Sequence, residues 1–295
     1  MRRFGVLVLL SVVISLSFTN KTATVYFEEG IPVIHRNFPN LHLFNEFQIT
    51  PTPITNSRLS PEFWRNWPVL PQFSEKALAI LEKGLENPNL DSHAFSRVGD
   101  CQFTTDTFLA GYVKGVYSVP QGYKETTHFF RESFVRDSVT AANGLGINSV
   151  LNPFFGLAAG NTQCMGYETP LDCELRTRRP AIVLVAMGTN WKPYAELTFE
   201  KNLREVVDII LASGALPILA TKADNIEEDW KLNLAIARVA YDYDLPMINL
   251  WLAVQDLPNH GLSAPANEYL TADAWMVRNN VWLKTLEPVR MALDD

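Results

Sequence analysis

Short continuous apolar runs alternate along this chain with longer stretches in which apolar residues recur at helical spacing. Phe95–Val98 is a short candidate strand ending at Gly99–Asp100, and Ser138–Ala142 is a weaker one ending at Asn143–Gly144. Ala181–Met187 is the strongest: an unbroken apolar run with β-branched Ile182, Val183 and Val185, bounded by Pro180 and Gly188. Ala215–Ala220 and Pro246–Leu250 complete a set of five, although Pro217 is an awkward residue for a central strand. Helical periodicity covers Ser74–Leu85, with Ala77, Leu78, Ile80, Leu81 and Leu85 apolar. It also covers Thr198–Ala212, where Phe199, Leu203, Val206, Val207, Ile210 and Leu211 share a face and Gly214 supplies a stop. Asp229–Tyr241 and Trp282–Leu293 follow the same pattern, and the acidic run Glu227–Glu228–Asp229 reads as a first helical turn.

Strands that are apolar throughout, alternating with amphipathic helices, predict a parallel sheet covered on both faces. The expected architecture is a flavodoxin-like three-layer α/β/α sandwich with a five-stranded parallel sheet in the order 2-1-3-4-5. Ligands in such sheets bind beyond the carboxyl ends of the strands. That rule singles out Asp100–Cys101, Gly144, Gly188–Asn190, Thr221 and the segment after Leu250.

The N-terminus breaks the pattern. Met1–Arg2–Arg3 precedes an uncharged apolar run from Phe4 to Phe18, which reads as a secretory signal peptide or an uncleaved N-terminal anchor over residues 1–18. Residues 19–70, punctuated by Pro32, Pro39, Pro51, Pro53, Pro61 and Pro68, read as a Pro-rich extension without sustained period. Residues 71–295 form the predicted α/β domain. Localisation is therefore expected to be secreted or at the cell surface, with membrane contact only through the N-terminal segment.

Composition narrows the partners. A hydrophobic fraction of 47% over 295 residues is enough for a sizeable core. A net charge of -7 argues against a nucleic-acid backbone as partner. The basic cluster Arg176–Thr177–Arg178–Arg179 reads as a solvated loop. Export permits a disulfide; Cys164 and Cys173 are close enough in sequence to pair, which leaves Cys101 odd, and three unpaired thiols is the alternative. His35, His42, His93 and His128 lack metal-ligand spacing, so neither a metal nor a cofactor is expected.

Three strand ends carry residues suited to acyl chemistry. A nucleophile followed by its own backbone N–H, a glycine N–H and an asparagine side chain together stabilise a tetrahedral oxyanion. Cys101, Gly144 and Asn190 occupy those positions. With these motifs in order, the chain from about Ala94 onward resembles the SGNH (GDSL) hydrolase family of esterases and lipases. Gly99–Asp100–Cys101 is similar to the GDS block, with Cys in the nucleophile slot. Gly144 falls at the oxyanion glycine, and Gly188–Thr189–Asn190–Trp191 resembles the GxND block with Trp191 replacing Asp. The family's closing DxxH block aligns with Ala266–Asn267–Glu268–Tyr269, so Ala266 stands for the Asp and Tyr269 for the His. Tyrosine is no general base near neutral pH. Asp256 and His260, four residues apart rather than three, are the alternative acid–base pair. The resemblance also puts Trp191 and Tyr269 beside the cleft.

Two readings of Cys101 stand side by side: a thiol nucleophile, or a small residue filling the serine slot. A reactive thiol requires an electropositive setting. The corresponding functions are an exported ester hydrolase acting on a small-molecule or glycan ester, catalytically impaired by its replaced residues, and a non-catalytic carbohydrate- or ligand-binding module at the cell surface. A structural or adaptor module with the Pro-rich segment as stalk is a third.

Overall fold

The computed structural model describes residues 14–18, 21–28, 31–35, 58–158, 163–189, 196–265 and 267–294. The chain divides into two units, Met1–Pro53 and Ile54–Asp295. The first holds an antiparallel three-stranded sheet of β1 (Ile14–Phe18), β2 (Lys21–Glu28) and β3 (Ile31–His35) in sequential order. Strands β2 and β3 lie inside the segment read as irregular. The β-branched residues Thr22, Thr24 and Val25 in β2 and Val33 and Ile34 in β3 favour extended backbone over a Pro-rich coil, and Val25 is registered opposite Ile34.

The second unit is built on a parallel sheet of β4 (Asp91–Gly99), β5 (Pro180–Ala186), β6 (Leu216–Ala220) and β7 (Met247–Ile248), in that spatial order. Strand β5 is central, and Ile182, Val183 and Leu184 are wholly inaccessible because helices cover both faces. On one side the helix Glu75–Leu85 packs against β5, β6 and the C-terminal helix Ala272–Asp294. On the other lie the helices Pro170–Arg178, Glu196–Ala212 and Lys231–Asp242. Ser74 caps the first helix by accepting the Ala77 N–H. The C-terminal helix begins ten residues before the expected Trp282, because its first turns bury Ala274 together with the polar Arg278 and Asn279, which an apolar-spacing pattern does not register.

The sheet has four strands where five were expected. The candidate strand Ser138–Ala142 contributes only a single parallel bridge, Ala141 to Gly99, at the outer edge of β4. Side chains have replaced its ladder. The Ser138 and Thr140 hydroxyls both donate to the Arg97 carbonyl, and the Val139 N–H donates to the Glu174 carboxylate at 3.0 Å. The position still lies next to β4, so the observed order is the expected 2-1-3-4-5 with its edge member reduced to one bridge.

Pro217 is tolerated inside β6 for a reason of register. Leu219 and Thr221 point their N–H groups to β7, at Pro246 and Ile248. By alternation the Pro217 nitrogen faces the same way, where the two-residue β7 has not yet begun, so no ladder bond is lost.

Three local expectations are corrected. Residues 58–70 belong to the domain: Trp64 and Trp67 are buried, and Asn249 Nδ2 donates to both of their carbonyls, at 2.9 and 3.1 Å. Arg176 and Arg178 lie in a helix, where Arg176 pairs with the buried Glu168. Glu227–Asp229 precedes its helix, because Glu227 turns inward to Lys222 and Trp230 takes the cap position in a left-handed conformation. Cys164 and Cys173 are disulfide-bonded, with Cα atoms 5.3 Å apart.

Candidate active site

The residues Gly99–Asp100–Cys101 leave the sheet at the carboxyl end of β4 and enter a single turn, Cys101–Phe103. Glycine is required at 99 because a Cβ there would lie 2.2 Å from the Phe103 Cβ. Phe103 in turn packs on Phe108 and Trp282, so the C-terminal helix buttresses the turn. Arg278 of that helix is buried and donates to the carbonyls of Gln102 and Thr107.

The turn ties three segments together. The Asp100 carboxylate accepts the Gln102 N–H at 3.1 Å and the Thr189 N–H at 3.0 Å, joining the ends of β4 and β5. Gln102 Nε2 donates to the Thr189 hydroxyl at 3.1 Å and to the Glu268 carbonyl at 2.7 Å. The segment around Glu268 is thus tied to the turn Cys101–Phe103. The Thr189 hydroxyl continues to Asp224 at 3.2 Å. Asp224 shares Lys222 Nζ, at 2.5 Å, with Glu227, and all three side chains are buried. The aliphatic stem of Lys222 runs past Gly188, whose φ of 127° and close approach exclude a side chain. Asp100, Gln102, Thr189, Thr221, Lys222 and Arg278 help line a cavity of about 30 Å³, room for about one water.

Electrostatics set the protonation. Burial raises the Asp100 pKa to about 6; the N–H groups of Gln102 and Thr189 oppose this, Asp224 adds to it, and Arg278 opposes it. Cys101 is a free, half-buried thiol. Burial, then Asp100, push its pKa up to about 11; the backbone N–H groups of Cys101 and Gln102 oppose this, and Glu268 adds a smaller rise. Among the described residues no imidazole hydrogen-bonds the thiol. The neutral form is favoured chiefly by burial, which the neighbouring buried Arg278 does not overcome, and a desolvated thiol is the reverse of an activated one.

The other expected site residues divide. Gly144, with φ of 77° and open space around it, lies in an exposed turn just past the Gly99–Ala141 bridge, at the same end of the sheet. Tyr269 is 45% exposed, and its carbonyl accepts the Ser263 N–H. His260 and Asp256 are exposed; His260 sits on the turn Pro258–Gly261 with Nδ1 3.1 Å from the Gln255 carbonyl. Asn190, Trp191 and Ala266 lie outside the described residues. The Lys222–Asp224–Glu227 cluster and Arg278 escaped the sequence reading. The signal for the first was a lysine and an aspartate immediately beyond the apolar run of β6, where an apolar strand meets the strand-end face.

No family model matches this sequence, and no curated protein matches it. Among solved structures it is similar to a GDSL-like lipase from Bacteroides thetaiotaomicron, at 14% identity over 72% of this chain and 98% of that one, with a TM-score of 0.42. It is also similar to a lipase/acylhydrolase from Enterococcus faecalis, at 15% identity over 66% of this chain and 95% of that one, again with a TM-score of 0.42.

Proposed function

We propose that this chain is an exported, SGNH-type hydrolase-like protein whose strand-end site binds a small-molecule or glycan ester and hydrolyses it poorly. The observation that carries this reading is the state of Cys101. On the sequence resemblance Cys101 stands for the nucleophile, and its thiol is desolvated beside Asp100 with no hydrogen-bonded imidazole among the described residues. A thiolate attacks a carbonyl; a thiol held protonated does not. The exposed Tyr269 in the histidine slot supports the same conclusion, since a phenol is too weak a base near neutral pH. Export is carried by the basic start and short apolar run of residues 1–18.

The test is hydrolysis of p-nitrophenyl acetate by the protein, Cys101→Ala and His260→Ala. All three are expected to show the same slow rate, since binding and oxyanion donors alone leave roughly a 10³-fold acceleration over water. Robust turnover that both substitutions abolish would instead establish a working Cys101–His260 enzyme.

A further inference from the structure

Beyond the ends of β6 and β7, three tryptophan rings meet. Trp64 and Trp251 have centroids 5.2 Å apart, Trp230 and Trp251 5.9 Å, and Trp64 and Trp230 6.0 Å. Their planes are inclined at 49°, 72° and 79°, so the rings meet tilted or edge to face rather than stacked, with Trp64 buried and Trp230 and Trp251 partly exposed. The Arg65 guanidinium lies over all three, at 4.9, 5.3 and 5.6 Å from the centroids of Trp64, Trp230 and Trp251. Arg65 is exposed, and among the described residues it has no ion pair and no hydrogen bond from its guanidinium. Among the described protein groups, the guanidinium is therefore met by ring faces on its inner side, with water on its outer side.

The rings are placed by specific backbone bonds. The Trp64 carbonyl accepts from Asn249, the Trp251 N–H donates to the Thr221 hydroxyl at 3.1 Å, and the Trp230 N–H donates to Asn225 Oδ1 at 2.9 Å. Trp230 keeps a left-handed φ of 61°, a costly conformation for so bulky a residue that its surroundings must enforce. Such a seat is preorganised.

We propose that Trp64, Trp230 and Trp251 form a binding site for a quaternary ammonium group, and that Arg65 is its internal occupant, displaced when such a ligand enters. The chemistry selects this class. The rings offer π surface to a positive charge, and among the described residues no acceptor engages the N–H groups of Arg65. A guanidinium or primary ammonium leaves its donors unsatisfied or in water, whereas a quaternary ammonium has none to satisfy. The seat opens outward where Arg65 is exposed. Its rings come from Pro61–Asn66 and from the segments after β6 and β7, and its occupancy is read by binding rather than by ester turnover.

Choline is the probe, and 3,3-dimethylbutanol, its uncharged isostere, is the control, both followed by saturation-transfer NMR on the full chain. Removing the internal competitor with Arg65→Ala is expected to tighten choline binding by at least about fivefold. Arg65→Gln, which keeps most of the stem, should do the same. Adding Trp251→Leu should remove that gain; if this variant does not fold, Trp230→Leu carries the same test. Unchanged or weaker choline binding in the Arg65 variants would overturn the proposal. So would equal binding of the uncharged isostere, or a gain that survives loss of the ring.

Discussion

Two groups with nucleophilic atoms stand at the same end of the sheet and are treated in opposite ways. At the end of β4, Cys101 is a half-buried thiol beside the acidic Asp100 and Glu268, and burial with these two outweighs the nearby buried Arg278. At the end of β6, Lys222 is a buried ammonium clasped between Asp224 and Glu227. Acidic neighbours suppress the charge of the first and satisfy the charge of the second. The site is thus electrostatically matched to hold a cation and mismatched to create a thiolate. Nucleophile identity matters less here than the sign of the surrounding field.

The largest effect expected from breaking this contrast is at Lys222. Lys222→Met strands two buried carboxylates and should cost about 3–5 kcal/mol in urea unfolding. The triple replacement Lys222→Met, Asp224→Asn, Glu227→Gln should cost less, because it leaves no unpaired charge. A triple variant as damaged as the single one would show that packing, not charge, holds this corner.

Asp100 comes next. Asp100→Asn turns one acceptor of the Gln102 and Thr189 N–H groups into a donor, a loss of about 1–3 kcal/mol. It should also change the pH dependence. The folded pKa of about 6 lies above the ordinary 3.8, so the folded state binds more protons between these values. The contribution of Asp100 to stability is therefore present below about pH 3.8 and lost as pH rises through about 6. Urea midpoints measured across that window should fall with pH in the protein and lose that component in Asp100→Asn.

Smaller effects concern the thiol itself. With a pKa of about 11 against 9.0, Cys101 has far less thiolate at pH 8. The higher nucleophilicity of a more basic thiolate offsets part of this, so alkylation by iodoacetamide should run about tenfold slower than for a model thiol. The rate should keep rising past pH 10. A plateau near pH 7 would reveal a cationic partner and break the comparison. Glu268→Gln removes one acidic neighbour and should speed alkylation by less than about threefold, the smallest change of the set.

Much of this molecule was settled by its amino-acid order. Ala181–Met187 was legible as a buried strand, since seven apolar residues, three of them β-branched, between Pro180 and Gly188 are too few for a typical helix and have no polar face to give to water. The helical faces of Glu75–Leu85 and Glu196–Ala212 followed from spacing, as did the alternation that makes the sheet parallel. The strand ends, and with them Cys101 and Gly144, were legible because glycine interrupts apolar runs there. What spacing does not carry is which side chains distant in sequence meet. Ser138–Ala142 lost its ladder to the hydroxyls of Ser138 and Thr140 and to the carboxylate of Glu174. Glu227 left its helix for Lys222, and Trp64, Trp230 and Trp251 came together from three separate elements. Local preference is a property of neighbours along the chain. Burial, counter-charge and the raised pKa values of Asp100 and Cys101 are properties of neighbours in space, which only the packed structure assembles.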